Sequence, residues 1–301
     1  MVKVSVILPI YNVAPYLDET FRSLINQTLS DIEIIAVNDG STDNSEDIIR
    51  KYAQQDARIS FFSQENQGQS AARNLALQHA QGRYIYMMDS DDVIDTDALR
   101  ICYDYAEKNE ADFIFFDGDT IQEEGANGIS WDYSRSYLFE EDKPYRGESL
   151  LNLMLDQSKH NCVVWLLFIR HDYLKSIHLD FYPGIIHEDE LFTTQLTLQS
   201  NNIYCLKRKF VWHRIRQQST MGKHYSKRNL HCYLTVIDEL FKFQDSPIIR
   251  KFAGYTLSKV FYTGHLIPTN EKFEVFWRAV KSGYLKYIGF KSIIVFWLKK
   301  K

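Results

Sequence analysis

The chain has 301 residues, 45% hydrophobic and 25% charged, ordinary globular usage that excludes collagen-like, low-complexity and wholly disordered proteins. A formal net charge of −4 gives no global attraction to nucleic acid, so no nucleic-acid partner is expected. Cys102, Cys162, Cys205 and Cys232 are scattered without a CxxC pair, which signals neither a zinc knuckle nor a disulfide framework. Met1 to Asn12 runs into a β-like segment with no secretory pattern, and no run reaches the ~20 apolar residues of a membrane span, so a cytoplasmic protein is expected.

Along the first 117 residues, short β-branched runs alternate with amphipathic stretches. Val4 to Ile10, Ile32 to Val37, Ile59 to Phe62, Tyr84 to Met88 and Phe113 to Phe116 read as buried strands. Tyr16 to Asn26, Asn44 to Gln54, Gln69 to Ala80 and Asp97 to Asn109 read as helices, with Thr42 or Asp43 and Glu46 as a capping box. This alternation predicts an α/β fold: a mostly parallel, Rossmann-like sheet flanked by helices, its ligand site beyond the carboxyl ends of the strands. Gly118 to Tyr145 is polar and reads as a long loop. Then come a helix at Leu150 to Leu155, a strand at Val163 to Ile169, a helix at Asp189 to Leu198 and a strand or hairpin at Ile203 to Ile215. Helices are expected near Asn229 to Phe243, Ile248 to His265 and Lys272 to Lys281. The expected division is an α/β domain over 1–220 and a helical region over 221–301.

Three strands of that sheet end in polar residues. The fourth ends in Asp89-Ser90-Asp91-Asp92, and carboxylates at alternate positions can hold a hard divalent cation while leaving sites for phosphate oxygens. The bland alternative is an acidic turn capping the next helix. The first strand ends in Pro9-Ile10-Tyr11-Asn12 and the second in Asn38-Asp39-Gly40, where Asp39 can accept the imide N–H of a uracil-like base and Tyr11 offers a stacking face. Turn chemistry alone explains one such loop, not three at one edge. Asn66-Gln67-Gly68 leads into a helix whose Arg73 can reach nucleotide or sugar oxygens.

In order and spacing, Pro9 to Asn12, Asn38 to Asp43, Asn66 to Asn74 and Asp89 to Asp92 resemble the motifs of family 2 inverting glycosyltransferases of the GT-A fold, in particular bacterial capsular, exopolysaccharide or adhesin-glycan enzymes. The resemblance implies a nucleotide-sugar donor, usually a UDP-sugar, with Asp39 on the base, Asp89 on the ribose or sugar and Asp91 on a Mn²⁺ or Mg²⁺ that bridges the diphosphate. Pro9, Tyr11, Asn12, Asn66, Gly68, Arg73 and Ser90 fall at the donor as well. His187-Glu188-Asp189-Glu190 matches the family's downstream acidic motif, with Asp189 as general base and Glu188 orienting it or binding acceptor hydroxyls. Lys207 to Arg228 holds eight Lys or Arg and no acid, and Trp212 to Thr220 within it resembles the segment that closes over the donor, which assigns Arg214 and Arg216 to the diphosphate and His213 to the diphosphate or the metal.

The expected function is metal-dependent, inverting transfer of a hexose to a hydroxyl of a glycan acceptor, lipid-linked or protein-linked. A non-catalytic subunit that binds donor or glycan for a partner enzyme is the alternative. A dinucleotide enzyme or nucleotidyltransferase is disfavoured, since no GxGxxG or P-loop pattern follows the first strand. Lys281 to Lys301 holds six lysines and no acid among apolar residues, which suggests peripheral contact with the inner face of the cell membrane. A terminal helix docked on the body is the alternative there.

Overall fold

The computed structural model describes residues 1–123, 131–216 and 225–299. In chain order the elements are β1 (Val4–Ile10), α1 (Ala14–Ile25), β2 (Ile32–Asp39), α2 (Ser45–Gln55), β3 (Ile59–Gln64), α3 (Gln69–His79), β4 (Tyr84–Met87), β5 (Val93–Ile94), α4 (Ala98–Lys108) and β6 (Phe113–Gln122). They continue with α5 (Gly147–Asp156), β7 (Leu167–Arg170), α6 (His171–Ser176), α7 (Glu188–Gln199), β8 (Ile203–Ile215), α8 (Lys227–Phe243), α9 (Pro247–Thr263), α10 (Thr269–Lys281) and α11 (Phe290–Leu298).

Among the described residues the strands form one sheet in the order β3-β2-β1-β4-β7-β6-β8-β5. Pairing is parallel from β3 to β4 and between β6 and β8, and antiparallel where β7 and β5 enter. Every residue of β1 is buried, as expected of a central parallel strand covered on both faces. Its side chains alternate: Val4, Val6, Leu8 and Ile10 join Leu17 and Phe21 of α1, while Ile7 joins Ile35, Val37 and the small Ala72 and Ala76 of α3 on the other face.

The expected elements recur with three corrections. β6 continues to Gln122, inside the stretch expected as loop, because Gly118 to Gln122 pairs with Val211 to Ile215 of β8. The strand expected from Val163 begins only at Leu167, after a 3₁₀ turn over Val164–Leu166. At α2 no capping box forms: Asp43 Oδ1 accepts the Ser45 N–H at 3.0 Å, and Glu46 turns to Asn38 and Arg50.

Helices α8 to α11 share a third core cluster with Leu151 and Leu155 of α5 and Leu191 of α7. The C-terminal helices therefore pack against the helix that carries the downstream acidic motif. The boundary expected at 220, with Gln217 to Thr220, lies outside the described residues.

Candidate functional site

The ends of β1, β2, β3 and β4 and the start of α7 meet beyond one edge of the sheet. At the first two, the loops are laced together. Asn12, at φ 51°, accepts the Thr42 N–H on its side-chain oxygen at 2.8 Å, and its own N–H donates to Ser41 Oγ at 3.1 Å. Tyr11 is left half-exposed at the mouth. Asp39 is buried, and its carboxylate accepts Gln64 Nε2 at 2.7 Å and the backbone N–H groups of Gln67 and Gly68 at 2.9 Å each. It thus fixes the loop containing Asn66 and Gly68 against β2. Gly40 sits in that joint at φ +70°, where a Cβ would lie 2.7 Å from Asn66 N.

The acidic turn after β4 is held from two sides. Thr20 of α1 donates to the carbonyl of Asp92 at 2.8 Å and lies 3.1 Å from that of Ser90. From the other side, the end of β8 supplies three bases. His213 Nδ1 is 3.0 Å from both carboxylate oxygens of Asp92, Arg214 Nε donates to the Asp91 carbonyl at 2.9 Å, and Arg216 Nε meets Asp91 Oδ2 at 2.5 Å. Burial pushes the Asp92 carboxyl up despite His213, and the same pair lifts His213 against the effect of its burial. The His213 ring is fixed by stacking on Trp165 at 5.2 Å, and Trp165 lies flat where Gly118 leaves no side chain in its way.

Among the described residues the ligand atoms that could share a metal are those of Asp89, Asp92 and His213, all within 4.8 Å of one another. Carboxylate oxygens with one imidazole nitrogen form a donor set that fits Mn²⁺ or Mg²⁺, and a histidine held through Nδ1 by a carboxylate keeps Nε2 for a ligand. Asp91, expected at the metal, instead directs its carboxylate to Arg216.

The deepest charge is Arg73. Its side chain is only 2% exposed, stacks over Phe181 at 5.0 Å and does not reach into solvent. Nη1 donates to Glu188 and Asp189 at 2.8 Å each, and Nη2 to Asp89 at 3.2 Å. One guanidinium therefore ties the acidic turn after β4 to the first turn of α7. Burial raises Asp189 to about 7 even with Arg73 beside it. About a fifth of the Asp189 side chain remains exposed, enough for an incoming group to reach it.

The α7 start is buttressed by α8. His187, in the left-handed region at φ 69°, meets Asn229 through Nε2 at 3.2 Å and stacks on Tyr233 at 4.1 Å. Burial holds its pKa down at about 4, so this ring stays neutral and structural.

Of the residues expected from the sequence, Arg73, Asp89, Glu188 and Asp189 come together here and Asp91 lies with His213, Arg214 and Arg216, but the sequence reading gave no site role to Asp92 and missed the supports Thr20, Trp165, Phe181, Asn229 and Tyr233. None of these supports sits in a motif; each is joined to the site only by folding.

Residues 5–177, more than half of the chain, match the family described as Glycosyl transferase family 2. EpsJ of Bacillus subtilis, an uncharacterized glycosyltransferase, is 46% identical over 111 residues, 37% of this chain and 32% of its own. Glycosyltransferase GlyA of Streptococcus pneumoniae is 30% identical over 241 residues, 79% of this chain and 34% of its own. The matched regions thus span about a third of the length of these two relatives. S. aureus TarS 1-349, solved in complex with UDP-GlcNAc, superposes with a TM-score of 0.74 at 20% identity, covering 97% of this chain and 83% of that one, a likeness of fold. The sheet, its loops at one edge and the family match agree: the chain has a GT-A fold and belongs to glycosyl transferase family 2.

Proposed function

We propose that this enzyme transfers a hexose, with inversion, from a UDP-sugar to a hydroxyl of a glycan acceptor, lipid-linked or protein-linked. The observation that carries the reading is the Arg73 bridge, because it holds the donor-side carboxylate Asp89 and the acceptor-side carboxylate Asp189 on one rigid group. A UDP-sugar is favoured by the UDP-GlcNAc bound in TarS and by the exposed Tyr11 ring beside Asp39.

Asp189 takes the proton of the acceptor hydroxyl as that oxygen bonds to the anomeric carbon, while the bond from that carbon to the nucleoside diphosphate breaks on the opposite side. A carboxylate raised to about 7 is matched to this task near neutral pH. Glu188, held on the same guanidinium, keeps Asp189 in place and lies beside the acceptor. Asp39 and Tyr11 take the base, with Pro9, Asn12, Asn66 and Gly68 shaping its loop, and Ser90 and Asp89 face the ribose or sugar. Asp89, Asp92 and His213 would hold Mn²⁺ or Mg²⁺, joined by Asp91 if Arg216 turns to the diphosphate, and the ion would neutralise charge on the departing diphosphate. Arg216, paired to Asp91, and Arg214 take the diphosphate charge in this reading, supported by their position at the acidic turn. A lipid-linked acceptor would bring the enzyme to the inner face of a membrane.

The test is release of nucleoside diphosphate from a panel of UDP-, GDP- and dTDP-sugars with Mn²⁺ or chelator. One donor should turn over in a metal-dependent way, with Asp91→Ala losing that metal-dependent release and Asp189→Asn losing at least 10²-fold in rate while still binding donor. No turnover and no binding with any donor would overturn the reading.

A further inference from the structure

The C-terminal helices dock on the body, yet they leave one face bare. α11 buries Ser292 and Phe296, the latter against Phe261 at 5.0 Å and over Gly264. Its opposite side presents Phe290, Ile294 and Leu298, recurring every fourth residue, at 79%, 41% and 74% exposure. The stripe continues sideways. Trp297 touches Phe273 of α10 at 4.9 Å, and Phe273 and Trp277, one turn apart, are themselves 55% and 56% exposed. Of the thirteen large apolar side chains exposed among the described residues, seven lie between Tyr262 and Leu298. Scattered apolar exposure is ordinary, but such concentration in one segment, five of the seven on α10 and α11, marks an interaction surface.

Its charge selects the occupant. Lys281, Lys291 and Lys299 are exposed and form no ion pair among the described residues; Lys291 follows Phe290 and Lys299 follows Leu298. Of the two acids of α10, Glu271 and Glu274, the one that follows Phe273, Glu274, is turned to α8, where it pairs with Lys227 and His231. An apolar strip edged by lysines, with aromatic residues in it and Glu274 directed elsewhere, complements an anionic bilayer surface, which asks for no directional partner. No described helix is long and apolar enough to cross a membrane, so contact would be at the surface.

The face also has a place relative to the site. Phe296 and Leu230 both pack at Gly264, and Leu230 is next to Asn229, the residue that holds His187 at the start of α7. The candidate base and the bare face are thus linked through one turn of α8.

We infer that the exposed face of α10 and α11, formed by Phe273, Trp277, Phe290, Ile294 and Leu298 with Lys291 and Lys299 at its rim, seats the enzyme on an anionic lipid surface. It rests on the proposed lipid-linked acceptor only for its purpose; its existence stands on these residues.

Sedimentation of the full chain with phosphatidylglycerol-containing and pure phosphatidylcholine vesicles tests it. The parent should pellet with the anionic vesicles and much less with the neutral ones. Phe290→Ser with Leu298→Ser should lower partitioning by roughly tenfold or more, since two exposed apolar side chains no longer enter the interface. Lys291→Gln with Lys299→Gln should lower it on the order of tenfold on anionic vesicles alone. Both variants alter exposed residues, so melting and donor hydrolysis in solution should match the parent, and Ile294→Glu provides an independent third variant. Absence of parent binding, or binding unchanged in all three variants, overturns the inference. Self-association by light scattering that the apolar variant removes, without vesicle binding, overturns it in favour of a second copy of the chain. Vesicle binding without turnover of any donor would sink the catalytic reading and leave this surface standing.

Discussion

Replacing Arg73 with methionine keeps most of the buried stem and removes the charge that three carboxylates share. In the parent, Asp89, Glu188 and Asp189 are 22%, 10% and 19% exposed, so water cannot take over the work of a guanidinium that meets them at 2.8 to 3.2 Å. Removing one partner of a buried ionic cluster costs about 3–5 kcal/mol, which for a chain of this length lowers Tm by about 5–8 °C. The loss should depend on pH in a definite direction. The folded pKa of Asp189, about 7, lies above its ordinary 3.8, so its contribution to stability is present below 3.8 and is lost as pH rises through about 7. Without Arg73 the folded pKa moves higher still, and the decline extends further upward. Arg73→Met should therefore melt closer to the parent at pH 5 than at pH 8, and the acid limb of its kcat profile should shift up from the parent's. Arg73→Lys keeps a charge but offers one point where the guanidinium offers a fork, so it should recover only part of both effects. Melting curves at the two pH values with kcat–pH profiles decide the matter. Equal destabilisation at pH 5 and pH 8 with an unmoved acid limb would refute the reasoning and reduce Arg73 to packing against Phe181.

Two further substitutions test the frame around the site. Gly40→Ala places a Cβ 2.7 Å from Asn66 N at φ +70°; it should cost about 1–3 kcal/mol and raise the KM for the donor more than it lowers kcat, read by melting and by initial rates. Phe296→Ala empties a fully buried position among Phe261, Trp297 and Lys272, and should cost about 3–5 kcal/mol by denaturant titration, whereas Phe290→Ala, on the exposed side of the same helix, should be near neutral.

What could be read from the sequence is what the chain states locally. The strands β1, β2 and β4 are runs of apolar residues that end in turn-forming or acidic ones, so both the sheet and the line of its carboxyl edge are visible without a fold. The far part of β6 is not: Gly118-Asp119-Thr120-Ile121-Gln122 has loop composition and becomes strand only because β8, some ninety residues later, supplies its hydrogen bonds. Side-chain direction was the larger gap. Arg73 in a polar helix start reads as a ligand contact, and nothing nearby in sequence says otherwise. Its partners lie 16, 115 and 116 residues away, and Phe181 covers its plane from another loop.

The same reasoning explains why the acidic motifs were easier to find than to assign. Asp89, Asp91, Asp92 and Asp189 are all carboxylates near one edge, and a sequence cannot distinguish them. The fold does so by dividing them among three cations: Asp92 faces His213, Asp91 faces Arg216, and Asp89 and Asp189 share Arg73. Asp91 and Asp92 are further walled in by Arg214 and by Thr20 of α1, whereas the Asp189 side chain keeps an open flank. A proton acceptor must be partly desolvated, so that its pKa rises toward neutrality, and still reachable by the group it deprotonates. Asp189 combines a pKa pushed up to about 7 with that open flank, while Asp92 is raised without any exposure. That difference in access, more than the motif, is what supports the proposal of Asp189 as the base.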